Sequence, residues 1–369
     1  MKIAMFGHKR VPSREGGVEM VVAQLSSRMA AMGHRVTCYN RAGRHVSGAC
    51  HDRDVVLPGV RIRKVLTIDK KGLAAVTSSF FAAIRAAFSR ADVVHIHAEG
   101  PAIMSWLPRL FGKRVVVTVH GLDWQREKWK GGFGARFIRR GERTAVKYAH
   151  EIIVLSRNVQ EYFRQTYHRE TVYIPNGVEQ PQCQDAACIT QTYGLQKEDY
   201  ILFLGRLVPE KGIHYLIEAF QSIRTEKKLV IAGGVSDTDD YVRQLQEAAA
   251  DRGNIIFTGF VQGEILEALY SNAYVYVLPS DLEGMPRSLL EAMSYGNCCL
   301  VSNISECAEV VEDKAVVFEK GNVADLAAKL QMLCQRPDLV ASYQATARDY
   351  ICEKYNWDAV TEKTLELYR

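Results

Sequence analysis

The sequence predicts an α/β protein built from two doubly wound, Rossmann-like domains that face each other across a cleft. Short β-rich runs alternate with helical patterns, which is typical of a mostly parallel sheet covered by helices on both faces. The alternation starts again after a polar stretch at residues 179–192. The chain of 369 residues is also long enough for two domains of ordinary size.

The first half opens with a strand at residues 2–6, followed by a helix that begins near Gly17. Apolar side chains recur in this helix every three or four residues, which indicates packing on a sheet: Val18, Val21, Val22, Leu25, Met29 and Met32. Gly33 is placed to end the helix. Four further strands are predicted, at residues 36–39, 93–97, 115–120 and 152–155.

The second half repeats this pattern. Its predicted strands lie at residues 200–204, 229–232, 255–257, 273–278 and 299–302, with helices between them, for example at 214–224 and 241–251. The predicted domains therefore span residues 1–180 and 181–352. The sequence allows a last helix, within residues 353–369, to cross back onto the first domain.

Composition narrows the class of protein. Hydrophobic residues make up 47% and charged residues 24%, the balance of a folded globular chain. The longest apolar stretch, residues 73–88, contains Arg85 and is too short and too polar to span a bilayer. The first residues turn polar after a short strand, unlike a signal peptide. Nine scattered cysteines without metal-site spacing favour packing roles and a reducing cytoplasm.

The two halves carry opposite net charges. Residues 1–180 hold 30 Lys and Arg against 14 Asp and Glu, whereas residues 181–369 hold 17 against 28. The basic half therefore suits nucleic acid, an anionic membrane surface or a phosphorylated acceptor. The alternative is that this charge only keeps the domain in solution.

The most informative motif follows the strand that ends near Leu278. Pro286 suits the first turn of a helix, so the amides of Arg287, Ser288 and Leu289 are expected to be free to bind a phosphate. Glu283 precedes this helix and Glu291 lies within it. The two carboxylates can accept hydrogen bonds from a sugar and a ribose, or they can be incidental acids on a capped surface helix.

A second motif, Gly205-Arg206-Leu207-Val208-Pro209-Glu210-Lys211-Gly212, directly follows a strand. Its two cations, on a loop tightened by glycine and proline, suit a diphosphate. A third motif is Pro12-Ser13-Arg14-Glu15-Gly16-Gly17-Val18-Glu19. Its glycine pair either lets backbone amides approach an anion or simply forms a tight turn.

Histidines form the last candidate group. His120 ends a strand of the basic half, where it either contacts a ligand or is a hydrogen-bonded core histidine. His95 and His97 share one face of another strand, but no third ligand is spaced for a metal site. The acidic run Asp237-Thr238-Asp239-Asp240 is interpreted as a helix cap and not as a metal site.

Together and in this order, the motifs resemble those of the family 4 nucleotide-sugar glycosyltransferases of GT-B architecture. The most specific mark is the E-x7-E pair, Glu283 and Glu291. The other matching segments span nearly the whole chain: Gly16-Gly17, His120-Gly121, Ile174-Pro175-Asn176-Gly177-Val178, Gly205-Arg206 with Lys211-Gly212, and Thr258-Gly259-Phe260-Val261.

The resemblance implies a role for each matching residue. Arg206 and Lys211 hold the donor diphosphate, and the amides of Gly16 and Gly17 approach its distal phosphate. Glu291 binds the ribose and Glu283 the transferred sugar. The remaining predicted contacts are His120 at the sugar near the reacting carbon, Phe260 and Val261 at the base, and Asn176, Met285, Arg287, Ser288 and Leu289 elsewhere around the donor. Arg287 departs from the small or apolar residue of many members, so the donor sugar stays open.

The resemblance also implies a retaining, metal-independent hexosyltransferase without a cofactor, in which the nucleotide-diphosphate sugar, by default a UDP-sugar, is a co-substrate. The N-terminal domain then binds the acceptor, a glycan or a polyprenyl-diphosphate-linked molecule of bacterial-type surface polysaccharide synthesis. Residues 73–88 form either a surface that docks on the inner face of the membrane or a core helix. They are preceded by five cations: Arg61, Arg63, Lys64, Lys70 and Lys71.

Two other functions fit parts of the sequence. A sugar-nucleotide epimerase on the same architecture needs no acceptor. A non-enzymatic polyanion binder uses the basic half, but it leaves the E-x7-E spacing and the acidic second half unexplained, so nucleic acid is not the expected partner.

Overall fold

The computed structural model describes residues 1–13, 16–43, 56–70, 72–126, 129, 132–234, 239–250 and 253–369. Arg14, Glu15, Lys71, Asp237 and Thr238 of the sequence analysis lie outside these residues. The chain divides into two compact units. Unit 1 comprises Met1–Asn176 and Trp357–Arg369, and unit 2 comprises Gly177–Asn356.

Unit 1 contains a parallel sheet of seven strands. They are β1 (Lys2–Phe6), β2 (Arg35–Arg41), β3 (Val60–Val65), β4 (Val93–His97), β5 (Arg114–Val119), β6 (Glu151–Val154) and β7 (Val172–Tyr173), in the order β3-β2-β1-β4-β5-β6-β7. Its helices are α1 (Gly17–Ala31), α2 (Leu73–Ala87), α3 (Trp106–Leu110), α4 (Phe133–Tyr148) and α5 (Arg157–Tyr167). Buried apolar side chains lie in two clusters of this unit.

Unit 2 contains a second parallel sheet, with six strands. They are β8 (Tyr200–Leu204), β9 (Lys228–Ala232), β10 (Ile255–Gly259), β11 (Val275–Leu278), β12 (Cys298–Ser302) and β13 (Val316–Phe318), in the order β10-β9-β8-β11-β12-β13. Its helices are α6 (Ala187–Tyr193), α7 (Ile213–Ser222), α8 (Asp239–Ala249), α9 (Glu264–Ser271), α10 (Arg287–Ser294), α11 (Ser305–Val311), α12 (Val323–Gln335) and α13 (Pro337–Lys354).

The prediction of two Rossmann-like parallel sheets is confirmed. In each sheet the strand order reverses beside the first strand of the unit, at β1–β4 in unit 1 and at β8–β11 in unit 2. Ligands of open α/β sheets bind at the carboxyl ends of the strands at this reversal. The loops after β8 and β11 are therefore the first place to look for a site in unit 2.

Three strands escaped the sequence analysis: β3, β7 and β13. The sequence of β3 alternates apolar and basic residues, and four of its six residues are exposed because it lies at the edge of the sheet. The strands β7 and β13 have only two and three residues, too few for a periodic signal.

The C-terminal segment packs on unit 1. Its helix α14 (Trp357–Glu366) buries Trp357, Val360 and Leu365 in the cluster that also contains residues of α1. The Arg28 guanidinium lies 2.9 Å from the Asp358 carboxylate. Beyond the helix, the buried Tyr368 hydroxyl lies 2.6 Å from Nδ1 of His95. The segment thereby adds both apolar burial and a buried hydrogen bond to unit 1.

A close backbone contact joins α4 to the loop after β4. A Cβ atom added at Gly141 would lie 1.9 Å from the carbonyl oxygen of Glu99. Only glycine permits this approach, so the position is fixed by packing even though glycine weakens a helix interior by about 1 kcal/mol.

We expect Gly141→Ala to lower the free energy of unfolding by about 1–3 kcal/mol, because the clash outweighs the better helix propensity of alanine. Denaturant unfolding measures this change. Gly253→Ala is the control, since a Cβ at Gly253 meets no atom within 4 Å. A Gly141→Ala protein as stable as the wild type would show that the contact is not as tight as described.

Candidate active site

The loop after β8 is held in place by backbone contacts within unit 2. The amide of Gly205 donates to the Ala232 carbonyl at 3.0 Å, and the amide of Leu207 donates to the Gly234 carbonyl at 3.2 Å. Gly212 has φ +65°, and a Cβ added there would lie 2.0 Å from the Pro279 carbonyl oxygen. The loop that carries Arg206 and Lys211 is therefore pressed against the loop that follows β11.

The centre of this arrangement is an ion pair between these two loops. Nζ of Lys211 lies 2.5 Å from Oε1 of Glu283, and the two side chains are only 12% and 8% exposed. The Ser280 hydroxyl donates to the same carboxylate oxygen at 2.7 Å. The structure thus brings together two residues that the sequence analysis singled out from separate motifs.

Neighbouring hydrogen bonds fix the loop after β11. The amide of Asp281 donates to the Glu210 carbonyl at 2.9 Å, and the Tyr215 hydroxyl donates to the Asp281 carboxylate at 3.2 Å. The Ser302 hydroxyl donates to the Ser280 carbonyl at 2.5 Å. These bonds leave little freedom to the backbone on either side of Glu283.

The start of α10 differs in one respect from the prediction. Pro286 is the N-cap residue, so the helix begins one residue later, at Arg287. The amide of Leu289 is not free, because it donates to the Pro286 carbonyl at 3.0 Å as the first turn closes. Among the described residues, the amides of Arg287 and Ser288 have no backbone acceptor, so these two remain the donors available to an anion.

Glu291 is held on both sides. Its Oε1 lies 2.5 Å from the Arg287 guanidinium, and its Oε2 lies 3.3 Å from the Tyr270 hydroxyl. The Tyr276 hydroxyl donates to Oγ of Ser288 at 2.8 Å. Burial raises the pKa of both tyrosines well above the ordinary value, so they stay neutral donors. Neither tyrosine was identified from the sequence, because each lies in an apolar run typical of core strands and helices.

The predicted base-binding residues lie near the carboxyl end of β10. Phe260 is 43% exposed, which is unusual for a large aromatic side chain. Its Cβ would lie 3.4 Å from a Cβ added at Gly234. Val261 is half-buried beside it, whereas Met285 is buried at the start of α10. The exposed ring of Phe260 is available for stacking against a ligand.

In unit 1, three histidines adjoin one another at the ends of β4 and β5. Nδ1 of His97 lies 3.2 Å from Nε2 of His120, and the rings of His95 and His97 lie 4.2 Å apart. Burial, with the neighbouring His120, lowers the pKa of His95 to about 3. Burial lowers the pKa of His97 well below its ordinary value, and the neighbouring histidines lower it further. Both are therefore neutral, whereas His120 is only half-buried.

The glycine pair before α1 has a close acidic neighbour. Gly16 is the extended N-cap of α1 and Gly17 is its exposed first residue. The buried Glu19 accepts a hydrogen bond from the Lys9 amide at 2.7 Å, and a Cβ added at Gly16 would lie 1.9 Å from Oε2 of Glu19. An anion at this helix start would meet the Glu19 carboxylate, which the sequence analysis did not consider.

Asn176, at the end of unit 1's first segment, is buried.

Within the described part of the chain, no group of three His, Cys, Asp or Glu side chains is arranged to hold a metal ion. Among the described helices, none has both the length and the apolar character needed to cross a bilayer.

Comparison with known proteins identifies the family. Residues 15–180 match the model described as Glycosyltransferase Family 4, and residues 189–366 match the model described as Glycosyl transferases group 1. The two matches together span nearly the whole chain. The chain therefore belongs to the glycosyltransferases that combine these two domains, and the resemblance found in the motifs is confirmed at this level.

Individual relatives agree with this family. The chain is 32% identical over 186 residues to O-antigen chain mannosyltransferase B of Escherichia coli, an alignment that covers 49% of this chain and 48% of the relative. It is 27% identical over 397 residues to a glycogen synthase of Mycobacterium tuberculosis, covering 100% and 94%. The chain thus spans about half the length of the more similar of these two relatives.

Solved structures share the fold. A crystal structure of the Anabaena protein HepE in complex with UDP-glucose aligns with a TM-score of 0.82 at 17% identity, covering 99% of this chain and 98% of the other. With the two parallel sheets already described, this likeness assigns the GT-B fold to the chain.

The structure predicts that Lys211 and Glu283 stabilise unit 2 only as a pair. Lys211→Met leaves the Glu283 carboxylate nearly buried without a cation, and we expect a loss of about 3 kcal/mol in the free energy of unfolding. Adding Glu283→Gln removes the orphaned charge and should restore most of that loss. Denaturant unfolding of both single variants and the double variant measures the coupling.

The pair of Lys314 and Asp313 provides the control, because their side chains are 33% and 78% exposed. Lys314→Met should therefore lower the free energy of unfolding by less than about 1 kcal/mol. Strictly additive effects of Lys211→Met and Glu283→Gln would contradict the coupling.

Proposed function

We propose that the protein transfers a sugar from a nucleoside-diphosphate sugar to an acceptor, with the donor bound at the carboxyl ends of β8 and β11. The observation that carries this proposal is the placement of Lys211, Glu283, Ser288 and Glu291 around the start of α10. A cation, free amides and two carboxylates at one helix start match the chemistry of a sugar diphosphate, which presents anionic oxygens and hydroxyl groups.

Each residue then has a distinct role. Arg206 and Lys211 stabilise the negative charge that grows on the leaving diphosphate as the glycosidic bond breaks. The amides of Arg287 and Ser288 add hydrogen bonds to the same group, and Glu291 accepts the ribose hydroxyls. Tyr270 and Tyr276 orient Glu291 and Ser288 for these contacts. Glu283 accepts hydroxyls of the transferred sugar while it remains paired with Lys211.

Several finer features belong to the same proposal. The configuration at the anomeric carbon is retained, and the leaving diphosphate oxygen takes the proton of the acceptor hydroxyl. The two cations supply the positive charge at the diphosphate without a metal ion. UDP is the proposed carrier, supported by the likeness to the HepE structure, which contains UDP-glucose. Contacts of Gly16, Gly17, His120 and Asn176 with the donor remain predictions.

The proposed acceptor is a glycan or a polyprenyl-diphosphate-linked molecule of surface polysaccharide synthesis. The relative named O-antigen chain mannosyltransferase B supports this class of acceptor. Unit 1, which has the basic half of the sequence, is its proposed binding domain, because a diphosphate-linked acceptor is anionic.

We also propose that unit 1 docks on an anionic membrane at the cytoplasmic face. The helix α2 turns its small residues Ala82, Ala83 and Ala86 into the core. Large apolar side chains of α2, α3 and the adjoining turns are exposed instead: Leu73, Phe80, Phe88, Trp106, Leu110 and Phe111. Exposed cations surround them in the sequence: Arg61, Arg63, Lys64, Lys70, Arg85, Arg90 and Arg109. This combination suits an interface of lipid tails and anionic headgroups.

We predict that Lys211→Ala lowers the transfer rate at least tenfold, because a charge-assisted hydrogen bond of about 1.5–3 kcal/mol to the developing diphosphate charge is lost. The same variant should show a smaller rise in Tm with UDP than the wild type does. Product formation from a panel of UDP-sugars and thermal shift measure the two effects.

Lys320→Ala is the matched control, since Lys320 is an exposed residue of the same unit, and it should leave both readouts unchanged. Near-normal transfer by a folded Lys211→Ala protein would contradict the diphosphate role. Conversion of the donor without any acceptor would favour an epimerase.

For the membrane, we predict that the wild type floats with vesicles that contain phosphatidylglycerol at low salt. Phe80→Ser combined with Phe88→Ser should weaken vesicle binding about tenfold or more, because each aromatic side chain that enters the membrane contributes about 1.5–3 kcal/mol to binding.

The control is Met32→Ser, an exchange at an exposed apolar residue of unit 1 next to α1. Failure of the wild type to float with these vesicles would rule out the docking proposal without affecting the proposed transfer reaction.

A further inference from the structure

Two glutamates are buried in unit 1, outside the loops after β8 and β11 that are proposed to bind the donor diphosphate. Glu99 follows β4 and is 1% exposed, and Glu142 lies in α4 and is 0% exposed. Within the described residues, neither carboxylate forms a salt bridge. Two uncompensated negative charges at such depth are strongly unfavourable, so the pair requires another form of compensation.

The hydrogen bonds of the pair show how it is accommodated. Oε2 of Glu99 accepts from the Asp123 amide at 2.8 Å. Oε2 of Glu142 accepts from the hydroxyls of Tyr162 at 3.0 Å and Tyr167 at 2.6 Å. The remaining oxygen of each glutamate, Oε1, is buried, and among the described residues neither of these two atoms has a hydrogen-bond partner.

A proton on one of the two carboxyl groups would let it donate to the other and would partner both oxygens, whereas two ionised carboxylates have no proton to donate. Glu99 is the better site for that proton, because Glu142 already accepts from two hydroxyls. Burial raises the pKa of Glu99 well above its ordinary value, and the hydrogen bond to Glu142 and the charges of Asp123 and Glu142 raise it further, against an opposing contribution from the Asp123 amide.

We propose that Glu99 and Glu142 share one proton, and that this proton fixes the loop after β5 against helix α4. Glu99 reaches that loop through the Asp123 amide, three residues beyond His120. The close approach of Gly141 to the Glu99 carbonyl holds the backbone of α4 near Glu142 against the backbone at Glu99. Glu99 is thus a positioning residue, and the proposed proton sharing does not depend on the identity of any sugar donor or acceptor.

The surrounding groups define what else can titrate. The loop after β5 contributes Asp123, which pairs with Arg126 at 3.0 Å. The helix α4 contributes Glu142 and Arg143, and α5 contributes Tyr162 and Tyr167, whose pKa values are raised above the ordinary value, chiefly by burial. Glu99 is the carboxyl group of this set whose pKa is raised well above its ordinary value, chiefly by burial.

The sign of the pH effect follows from this shift. The folded protein keeps Glu99 protonated at pH values where the unfolded chain, with a pKa near the ordinary 4.5, has released the proton. The contribution of the shared proton to stability is fully present below about pH 4.5, and it is lost as the pH rises through the folded-state pKa. Most buried carboxylates that pair with cations show the opposite trend.

The exchange Glu99→Gln tests the proposal, since the amide group can donate to Glu142 and accept from Asp123 without titrating. Its Tm should stay nearly constant between about pH 5 and pH 9, whereas the Tm of the wild type falls by several degrees over the same range. Glu99→Leu, which cannot make either bond, should be destabilised at every pH. Glu161→Gln, at a partly exposed residue of α5, should keep the wild-type profile.

Hydrogen exchange supplies a readout specific to the loop. In the wild type, exchange of the peptide at residues 120–126 should accelerate with rising pH beyond the intrinsic chemical trend, and Glu99→Gln should abolish this excess. Identical pH profiles of Tm and exchange in the wild type and Glu99→Gln would overturn the proposal, as would a Glu99→Gln protein no more stable than Glu99→Leu.

A measurement on the wild type protects the test against a variant that fails to fold. The infrared spectrum at neutral pH should contain the C=O stretch of a protonated carboxylic acid, and this band should disappear as the pH rises in step with the loss of Tm. Absence of the band at neutral pH contradicts the shared proton whatever the variants do.

Discussion

The ion pair of Lys211 and Glu283 is the interaction on which the candidate site depends. It joins the loops after β8 and β11, the two strands that adjoin where the strand order of the sheet reverses. Because both side chains are nearly buried, neither can move far without leaving the other charge uncompensated. The close contacts of Gly212 and the hydrogen bonds of Ser280 and Asp281 hold the same two loops from outside the pair. The start of α10, with its free amides and Glu291, is positioned by this framework and by Tyr270 and Tyr276 below it.

In unit 1, two buried clusters of titratable side chains carry little charge. Burial keeps His95 and His97 neutral, and the shared proton proposed for Glu99 and Glu142 removes one charge from a second buried cluster. Both clusters lie against the loop that contains His120 and Asp123. The loops after β8 and β11 of unit 2 are thus joined by an ion pair, whereas in unit 1 neutral histidines and the proposed shared proton lie against the loop after β5.

Much of the fold and part of the site followed from the sequence, for reasons that particular residues make clear. The long apolar strands and the E-x7-E spacing are local signals, so the two sheets, Glu283 and Glu291 were predictable. The strand β3 was missed because its basic residues face solvent at a sheet edge. Leu289 was wrongly expected to offer a free amide, since a shift of one residue in the cap decides which amides the first turn uses. Tyr270, Tyr276 and the pair of Glu99 and Glu142 were missed because their roles come from partners distant in sequence, and single tyrosines or glutamates carry no spacing signal.

The most direct test of this account is a crystal structure of the protein with UDP-glucose or another UDP-sugar bound. The diphosphate oxygens should lie within hydrogen-bonding distance of Nζ of Lys211 and the Ser288 amide, with the ribose hydroxyls at the Glu291 carboxylate. A nucleotide bound elsewhere, with the start of α10 and Lys211 untouched by its phosphates, would contradict the account.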